Sequence, residues 1–290
     1  MQIEQLGERN ITVIHEKPFR TTTHLILGEK RVYVCDTFLG PEPMKEVSKV
    51  LRDRGAGEKP VVVFNSHSDW DHIWGNCYFH DSLIVAQVEN PRRLLEEGEK
   101  DLEEYGENRQ GEVILRPPNL LFEKSLSFAD DQVEFFYSPG HTIDSASCYD
   151  HIDQVLFVGD NVESEIPHVN RLNLDTYVMT LVGYLKLKWN ALVAGHDPIQ
   201  RDNALVKKNI EYLAQFRDWE LDLKSLSEGA LGLHLHALNK LVDDVISSSQ
   251  LEEARVHYQQ AIDMVQRMKP SDTAREYTKQ FSRVVNQPVK

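Results

Sequence analysis

The sequence is poor in cysteine, in long apolar runs and in positive charge. Its three cysteines, at positions 35, 77 and 148, are an odd number without the Cys-x-x-Cys spacing of a metal motif. This usage favours a reducing compartment. The longest apolar stretches, such as VVVF at 61–64, fall far short of the roughly 20 residues that cross a bilayer. No membrane span is therefore expected.

The charge balance and the first residues narrow the classes of partner. The formal net charge is −14, and no local basic patch offsets it, so phosphate backbones would be repelled and a nucleic-acid partner is not expected. The first twenty residues lack a basic region followed by an apolar run and a small-residue cleavage site. The sequence therefore predicts a cytoplasmic protein that acts on a small molecule.

The pattern of apolar residues changes along the chain. Up to about residue 200, short β-like runs alternate with turn signals and two or three amphipathic stretches, which is typical of an α/β fold. From Asp202 onward apolar residues recur at helical spacing and no convincing strand remains. We expect one α/β domain over residues 1–218 and an all-helical extension over 219–290. The extension is expected to pack on the core, to cap the site or to form a homodimer.

The segment NSHSDWDH at 65–72 follows directly on the apolar strand VVVF and carries four potential metal ligands in six residues. In extended backbone, residues two apart point the same way, so His67, Asp69 and Asp71 are expected to converge. His72 is expected at the start of a helical turn. Burying these groups is costly unless a cation compensates them, so the segment predicts a metal site.

Three further strands end in a possible ligand. His141 follows VEFFYS, Asp160 follows VLFVG, and His196 follows ALVAG. A glycine stands beside each of the three, which permits tight turns and close approach of the backbone. We expect the strand ends to gather these side chains around the same site.

Taken together, the motif and the order of the later ligands resemble the metallo-β-lactamase superfamily over roughly residues 10–200. That resemblance implies a four-layer αββα sandwich with two metals at one edge. By position, it implies that His67, Asp69 and His141 hold the first metal, that Asp71, His72 and His196 hold the second, and that Asp160 bridges them. It also implies that Asp36 lies in a structural turn rather than acting as a ligand.

Asp69 departs from the family pattern, which has a second histidine there; the related diiron flavoproteins have a glutamate. With a bridging hydroxide, the carboxylates of Asp69, Asp71 and Asp160 carry four negative charges, equal to the charge of two divalent cations. The extra carboxylate favours harder metals, so iron and manganese stand beside zinc as candidates. Asp69 could instead be a solvated side chain outside the ligand set.

The expected activity is hydrolysis, in which a metal-bridging hydroxide attacks an ester, lactone, thioester or phosphoester and Asp71 orients the nucleophile and shuttles a proton. β-Lactams are not the expected substrates, because the enzymes that meet them are normally exported. Two other functions are weighed. One is a nonhaem iron oxidoreductase related to diiron flavoproteins, although residues 205–290 show no flavin-binding pattern. The other is a non-catalytic scaffold stabilised by metal.

Overall fold

The computed structural model describes residues 1–288, and within them the strands form two sheets. The larger sheet has seven strands whose order in the sheet is their order in the chain. The first four strands are antiparallel neighbours, and parallel pairing begins between the fourth and the fifth. The strands are β1 (Gln2–Leu6), β2 (Asn10–His15), β3 (Thr21–Leu27), β4 (Val32–Cys35), β5 (Val61–Phe64), β6 (Leu83–Gln87) and β7 (Leu120–Phe122).

The smaller sheet is formed later in the chain. Its five strands are β8 (Ser125–Phe128), β9 (Val133–Tyr137), β10 (Ala146–Asp150), β11 (Val155–Gly159) and β12 (Ala191–Ala194). They lie in the order β12-β11-β10-β9-β8 among the described residues. Strands β11 and β12 pair in parallel, whereas the other pairs are antiparallel.

An apolar core joins the two sheets. Phe64 of β5 stacks on Phe135 of β9, with ring centroids 4.3 Å apart, and both side chains are fully buried. A second core covers the other face of the larger sheet, where Met44 and Val47 pack with Val34 of β4. The helices of this part are α1 (Pro41–Asp53), α2 (Trp70–Ile73) and α3 (Asn90–Glu104).

Two strands were not predicted from the sequence. Strand β1 is an edge strand, and most of its QIEQL residues are exposed or half-buried, so it lacks the apolar signal of a core strand. Strand β7, at the other edge, has only three residues. Edge strands bury less apolar surface than central ones, which weakens the pattern from which strands are predicted.

By contacts the chain divides into two compact units. The first contains residues 1–162 and 186–203, and the second contains residues 163–185 and the chain from Ala204 onward. The predicted boundary at 218/219 stays a prediction. The described part of the second unit contains helices and connecting segments and no strand. Its helices are α4 (Leu174–Lys186), α5 (Ala204–Arg217), α6 (Glu228–Ser247), α7 (Leu251–Val265) and α8 (Asp272–Val285).

The helical unit has a core of its own. Tyr258 of α7 is fully buried, donates a hydrogen bond to the carbonyl of Leu238 in α6 at 2.8 Å, and contacts the ring of Phe281 in α8. Ser227 and Ser271 cap α6 and α8 by accepting hydrogen bonds from backbone N–H groups of the first turn. Among the described residues, no helix combines the length and apolar character needed to span a bilayer.

Candidate metal centre

Strand direction explains why distant residues meet at one edge of the first unit. Strands β9 and β11 are each antiparallel to β10, so they run the same way, and β12 is parallel to β11. Their carboxyl ends therefore lie at the same edge of the smaller sheet. His141, Asp160 and His196 follow these ends. The loop after β5 reaches the same edge, where the carbonyl of Ser66 accepts a hydrogen bond from the N–H of Ala146.

The backbone of the motif is extended only in part. Asp69 has extended angles, φ −67° and ψ 143°, and stands immediately before α2. Asp71 and His72 both lie within α2, so Asp71 does not continue the extended alternation expected from the sequence. The side chains of Asp71 and His72 therefore point in directions that strand alternation does not give. Successive side chains are 100° apart around a helix, whereas they alternate along a strand.

The seven predicted residues come together as two ligand groups and a carboxylate. In the first ligand group, which is His67, Asp69 and His141, one ligand atom of each residue lies within 4.8 Å of the others. The second ligand group, Asp71, His72 and His196, meets the same distance. The Oδ2 atom of Asp69 is 3.2 Å from Nε2 of His141, and the Oδ2 atom of Asp71 is 3.3 Å from Nε2 of His196.

Asp160 lies between the two groups. Its Oδ2 atom is 3.7 Å from Nε2 of His67, and 3.2 Å from Nε2 of both His72 and His196. Glycine at position 195 leaves room for the Asp160 carboxylate, because a Cβ atom at this residue would come within 2.0 Å of Oδ1 of Asp160. The arrangement is that of a carboxylate shared by two ligand groups.

Hydrogen bonds away from the centre set the tautomers of two histidines. Nδ1 of His72 is 2.7 Å from Oδ2 of the fully buried Asp36, and Nδ1 of His196 is 2.6 Å from the carbonyl oxygen of Arg20. Both partners accept, so each Nδ1 carries the hydrogen and each Nε2 has its lone pair turned to the centre when the ring is neutral.

His67 follows the same rule through an intermediate serine. The Ser66 hydroxyl donates to Oδ2 of Asp36 at 2.6 Å, so its oxygen is left to accept from Nδ1 of His67 at 2.9 Å. Asp36 also accepts from the backbone N–H of Ser66. Asp36 thus orients two histidines, although its carboxylate is also within 4.8 Å of ligand atoms of His67 and His72.

The charges of the centre are strongly coupled. Burial opposes ionisation of Asp69, Asp71 and Asp160, but the facing histidines outweigh it and hold the pKa of each carboxyl below its usual value. Burial likewise opposes protonation of His72 and His196, but the carboxylates around them raise both pKa values well above the usual one. Without a metal the centre therefore attracts protons, and a bound cation would displace them.

The donor set fits a divalent cation. Nε2 of His72 and Nε2 of His196 are 3.3 Å apart, and with both rings neutral two lone pairs would face each other at this distance. Nε2 of His67 is buried and has no hydrogen-bond partner. Imidazole nitrogens and carboxylate oxygens are ligands for zinc, iron and manganese, and a cation between them would satisfy these atoms.

Some residues around the centre carry no signal in the sequence. Arg93, on α3, donates a hydrogen bond to Oδ1 of Asp69 at 3.0 Å. Asn161 accepts from the backbone N–H of His141 at 2.9 Å and donates to the carbonyl of Ser138, which fixes the loop that carries His141. Arg93 stands in a charged helix that reads as solvated. Asn161 could have been noticed only through its place next to Asp160.

Solved structures with a similar fold were found, whereas a search of curated proteins found no match. The chain is 17% identical to DIM-1 metallo-beta-lactamase, with a TM-score of 0.59 over 74% of this chain and 97% of that one. A metallo-beta-lactamase from Pontibacter korlensis is 16% identical, with a TM-score of 0.57 over 73% and 98%. One from Hirschia baltica is 15% identical, with a TM-score of 0.56 over 73% and 97%. At these identities the likeness concerns the fold alone.

The amino-acid sequence shows the family of this chain. The model of the metallo-beta-lactamase superfamily matches residues 17–221, which is more than half of the chain. The predicted α/β sandwich of this family, followed by a helical C-terminal region, is confirmed by the match and by the two sheets. The family consists generally of metal-dependent hydrolases, and the matched span contains all seven residues of the centre. This chain belongs to the metallo-beta-lactamase superfamily.

Proposed function

We propose that this protein hydrolyses a small-molecule ester, lactone, thioester or phosphoester by means of two divalent metal ions. The observation that carries the proposal is the facing pair of Nε2 atoms of His72 and His196, 3.3 Å apart. Their Nδ1 hydrogens are both directed away from the centre, to Asp36 and to the carbonyl of Arg20. A cation between the two nitrogens removes the repulsion that two neutral rings would otherwise have.

The ligands divide in the way that the family pattern implies. His67, Asp69 and His141 would hold the first ion, and Asp71, His72 and His196 would hold the second. Asp160, with its Oδ2 atom within 3.7 Å of histidines of both groups, would be shared. When bound, such ions activate water and stabilise the negative charge that develops on the substrate.

The role of the protein in the reaction is to position groups and to move a proton. The Asp71 side chain is mostly buried, which opposes its ionisation. The interactions with His72 and His196 outweigh this effect and lower the pKa of Asp71, so its carboxylate is ionised near neutral pH. An ionised carboxylate can orient an attacking water and accept its proton for a short time. Asp36 and the carbonyl of Arg20 accept from Nδ1 of His72 and of His196, so each ring, when neutral, directs the lone pair of its Nε2 atom to the centre.

Asp71→Asn tests this role. The variant should lower kcat by about 100-fold or more, the usual contribution of a general acid–base group, while the protein stays folded. Turnover would be followed on a panel of ester, lactone, thioester and phosphodiester substrates, with circular dichroism to check the fold. Asp81→Asn is the matched control, since Asp81 has a side chain that is 91% exposed. Full activity of Asp71→Asn on a substrate that the wild type hydrolyses would refute the assignment.

A second candidate function rests on Asp69. Its Oδ2 atom, 3.2 Å from Nε2 of His141 and 3.5 Å from Nε2 of His67, adds a carboxylate where the family commonly has a histidine. This ligand favours harder metals, and so supports nonhaem iron chemistry as the alternative. Anaerobic purification with metal analysis and an optical spectrum separates the two. Stoichiometric iron with oxygen-sensitive absorption would favour the oxidoreductase, and bound metal without turnover on any substrate would favour a scaffold.

A further inference from the structure

Arg93 lies among three carboxylates at the rim of the candidate metal centre. Its Nη2 atom is 3.0 Å from Oδ1 of Asp69 and 2.8 Å from Oε2 of Glu97, and its Nη1 atom is 2.8 Å from Oδ1 of Asp144. The Arg93 side chain is only 15% exposed. A guanidinium at this depth is held by paired carboxylates, since an unpaired buried charge is costly.

Asp144 fixes the guanidinium from behind. The Asp144 side chain is fully buried and also accepts a hydrogen bond from Nδ2 of Asn90, at the start of α3. Asp144 belongs to the same loop as His141, so one network joins α3, the loop of His141 and Asp69. Asp144 and Asn90 lie outside both ligand groups, so the contact of Arg93 with Asp144 involves no candidate metal ligand.

The two oxygens of Asp69 consequently have different surroundings. Oδ1 accepts from Arg93, whereas Oδ2 is turned to Nε2 of His67 and of His141. With Oδ1 engaged, only Oδ2 is offered to the first ligand group. A histidine in this position, as in most of the family, would offer one nitrogen and would need no cationic partner.

We propose that Arg93, held by Asp144, is a positioning residue that makes Asp69 a single-oxygen ligand of the first ligand group. The proposal rests on the metal centre proposed above and deepens it. It explains how a carboxylate takes the place of a histidine without chelating the metal through both oxygens. Arg–carboxylate hydrogen bonds are suited to this role, because they are directional and charge-assisted.

The direction of the change in metal affinity distinguishes a loss of orientation from a loss of charge. Loss of a positive charge near the centre would by itself strengthen the binding of a cation. Weaker binding after Arg93→Gln would therefore report the loss of orientation. Substitution of groups that orient metal ligands typically lowers metal affinity 10- to 100-fold, which is the decrease expected for one of the two metal equivalents.

The experiment is a titration of the metal-free full-length chain with Co²⁺, followed by visible absorption and by calorimetry. Arg93→Gln should weaken one equivalent 10- to 100-fold and leave the other unchanged. Arg92→Gln, on the same helix but paired with the half-exposed Glu89 and Glu96, is the control and should bind as the wild type does. Arg93→Lys keeps the charge but cannot reach Asp69 and Asp144 as a fork, so it should weaken the same equivalent by a smaller factor. It also keeps the test decisive if Arg93→Gln does not fold.

The effect of Arg93→Gln in the Asp69→His variant distinguishes positioning of Asp69 from general structural support by Arg93. In Asp69→His the carboxylate that Arg93 orients is gone, so adding Arg93→Gln should not weaken the first equivalent further. An equal loss in both backgrounds would overturn the proposal, and so would wild-type affinity in both Arg93 variants. A wild-type chain that binds no Co²⁺ would refute the metal centre and this inference together. Two tight equivalents in the wild type that Arg93→Gln leaves unchanged would overturn the inference alone.

Discussion

Asp36→Asn changes one atom of the network that orients His72 of the second ligand group and, through Ser66, His67 of the first. Oδ1 of Asp36 accepts from the backbone N–H of Ser66 at 2.7 Å, and Oδ2 accepts from Nδ1 of His72 at 2.7 Å. Asn can keep the first bond with its carbonyl oxygen, and it tolerates the left-handed backbone at this residue, where φ is 59°. Its amide nitrogen then faces His72.

This exchange places two donors against each other. His72 can relieve the conflict by moving its hydrogen to Nε2, but that tautomer cannot bind a metal through Nε2. Restoring the metal-binding tautomer leaves a buried donor unsatisfied, which costs about 1–3 kcal/mol. Since 1.4 kcal/mol corresponds to a tenfold change in Kd, the affinity of the second ligand group should fall roughly 5- to 150-fold.

The assay is metal content after dialysis against a graded chelator, together with Co²⁺ titration of the metal-free chain. Asp131→Asn is the matched control, because Asp131 is also buried and accepts hydrogen bonds from Tyr33 and from the N–H of Lys30, yet it is no part of the centre. The control should lose stability but keep both metal equivalents. Wild-type affinity of both equivalents in Asp36→Asn would refute the tautomer reasoning.

Two further predictions concern acid stability and the space around Asp160. Burial, only partly offset by Asp150, lowers the pKa of His24 to about 4, so the unfolded chain takes up a proton between pH 6.5 and about 4 that the folded chain refuses. About 3 kcal/mol of stability present above pH 6.5 should be lost across this window, because one pKa unit is about 1.4 kcal/mol. Urea unfolding of His24→Gln should show a shallower dependence on pH than the wild type, and an equally steep dependence would contradict this account. Gly195→Ala should displace Asp160, whose Oδ1 atom would be 2.0 Å from the new Cβ, and lower metal content, whereas Gly183→Ala, where a Cβ meets nothing within 4 Å, should leave it unchanged.

The strands that carry the centre could be predicted because they are buried, even where, as for β12, the strand lies at the edge of its sheet. VVVF of β5 and ALVA of β12 are continuous apolar runs, and each is followed within three residues by a ligand. The half-exposed β1 gave no such signal, since its stability comes from pairing with β2 rather than from its own burial. Predictability thus followed the apolar surface that each strand buries.

The partners of the ligands could not be predicted in the same way. Arg93 is 24 residues from Asp69, and Asp36 is 36 residues from His72, so these contacts depend on how the strands and helices pack. The sequence around Arg93 reads as a charged, solvated helix. The residue type gives no indication that Arg93 is mostly buried while its neighbour Arg92 is half exposed.

The surroundings of Asp69 refine the argument about which metal the centre prefers. One guanidinium is shared by Asp69, Asp144 and Glu97. Glu97 is half exposed, so water screens most of its charge, but Asp144 is fully buried and pairs with Arg93. Because Asp144 and Glu97 share the guanidinium with Asp69, Arg93 offsets only part of the negative charge of Asp69. The hydrogen bond from Arg93 therefore fixes the direction of Asp69 without fully cancelling its charge, and the first ligand group stays more negative than a group in which histidine takes its place.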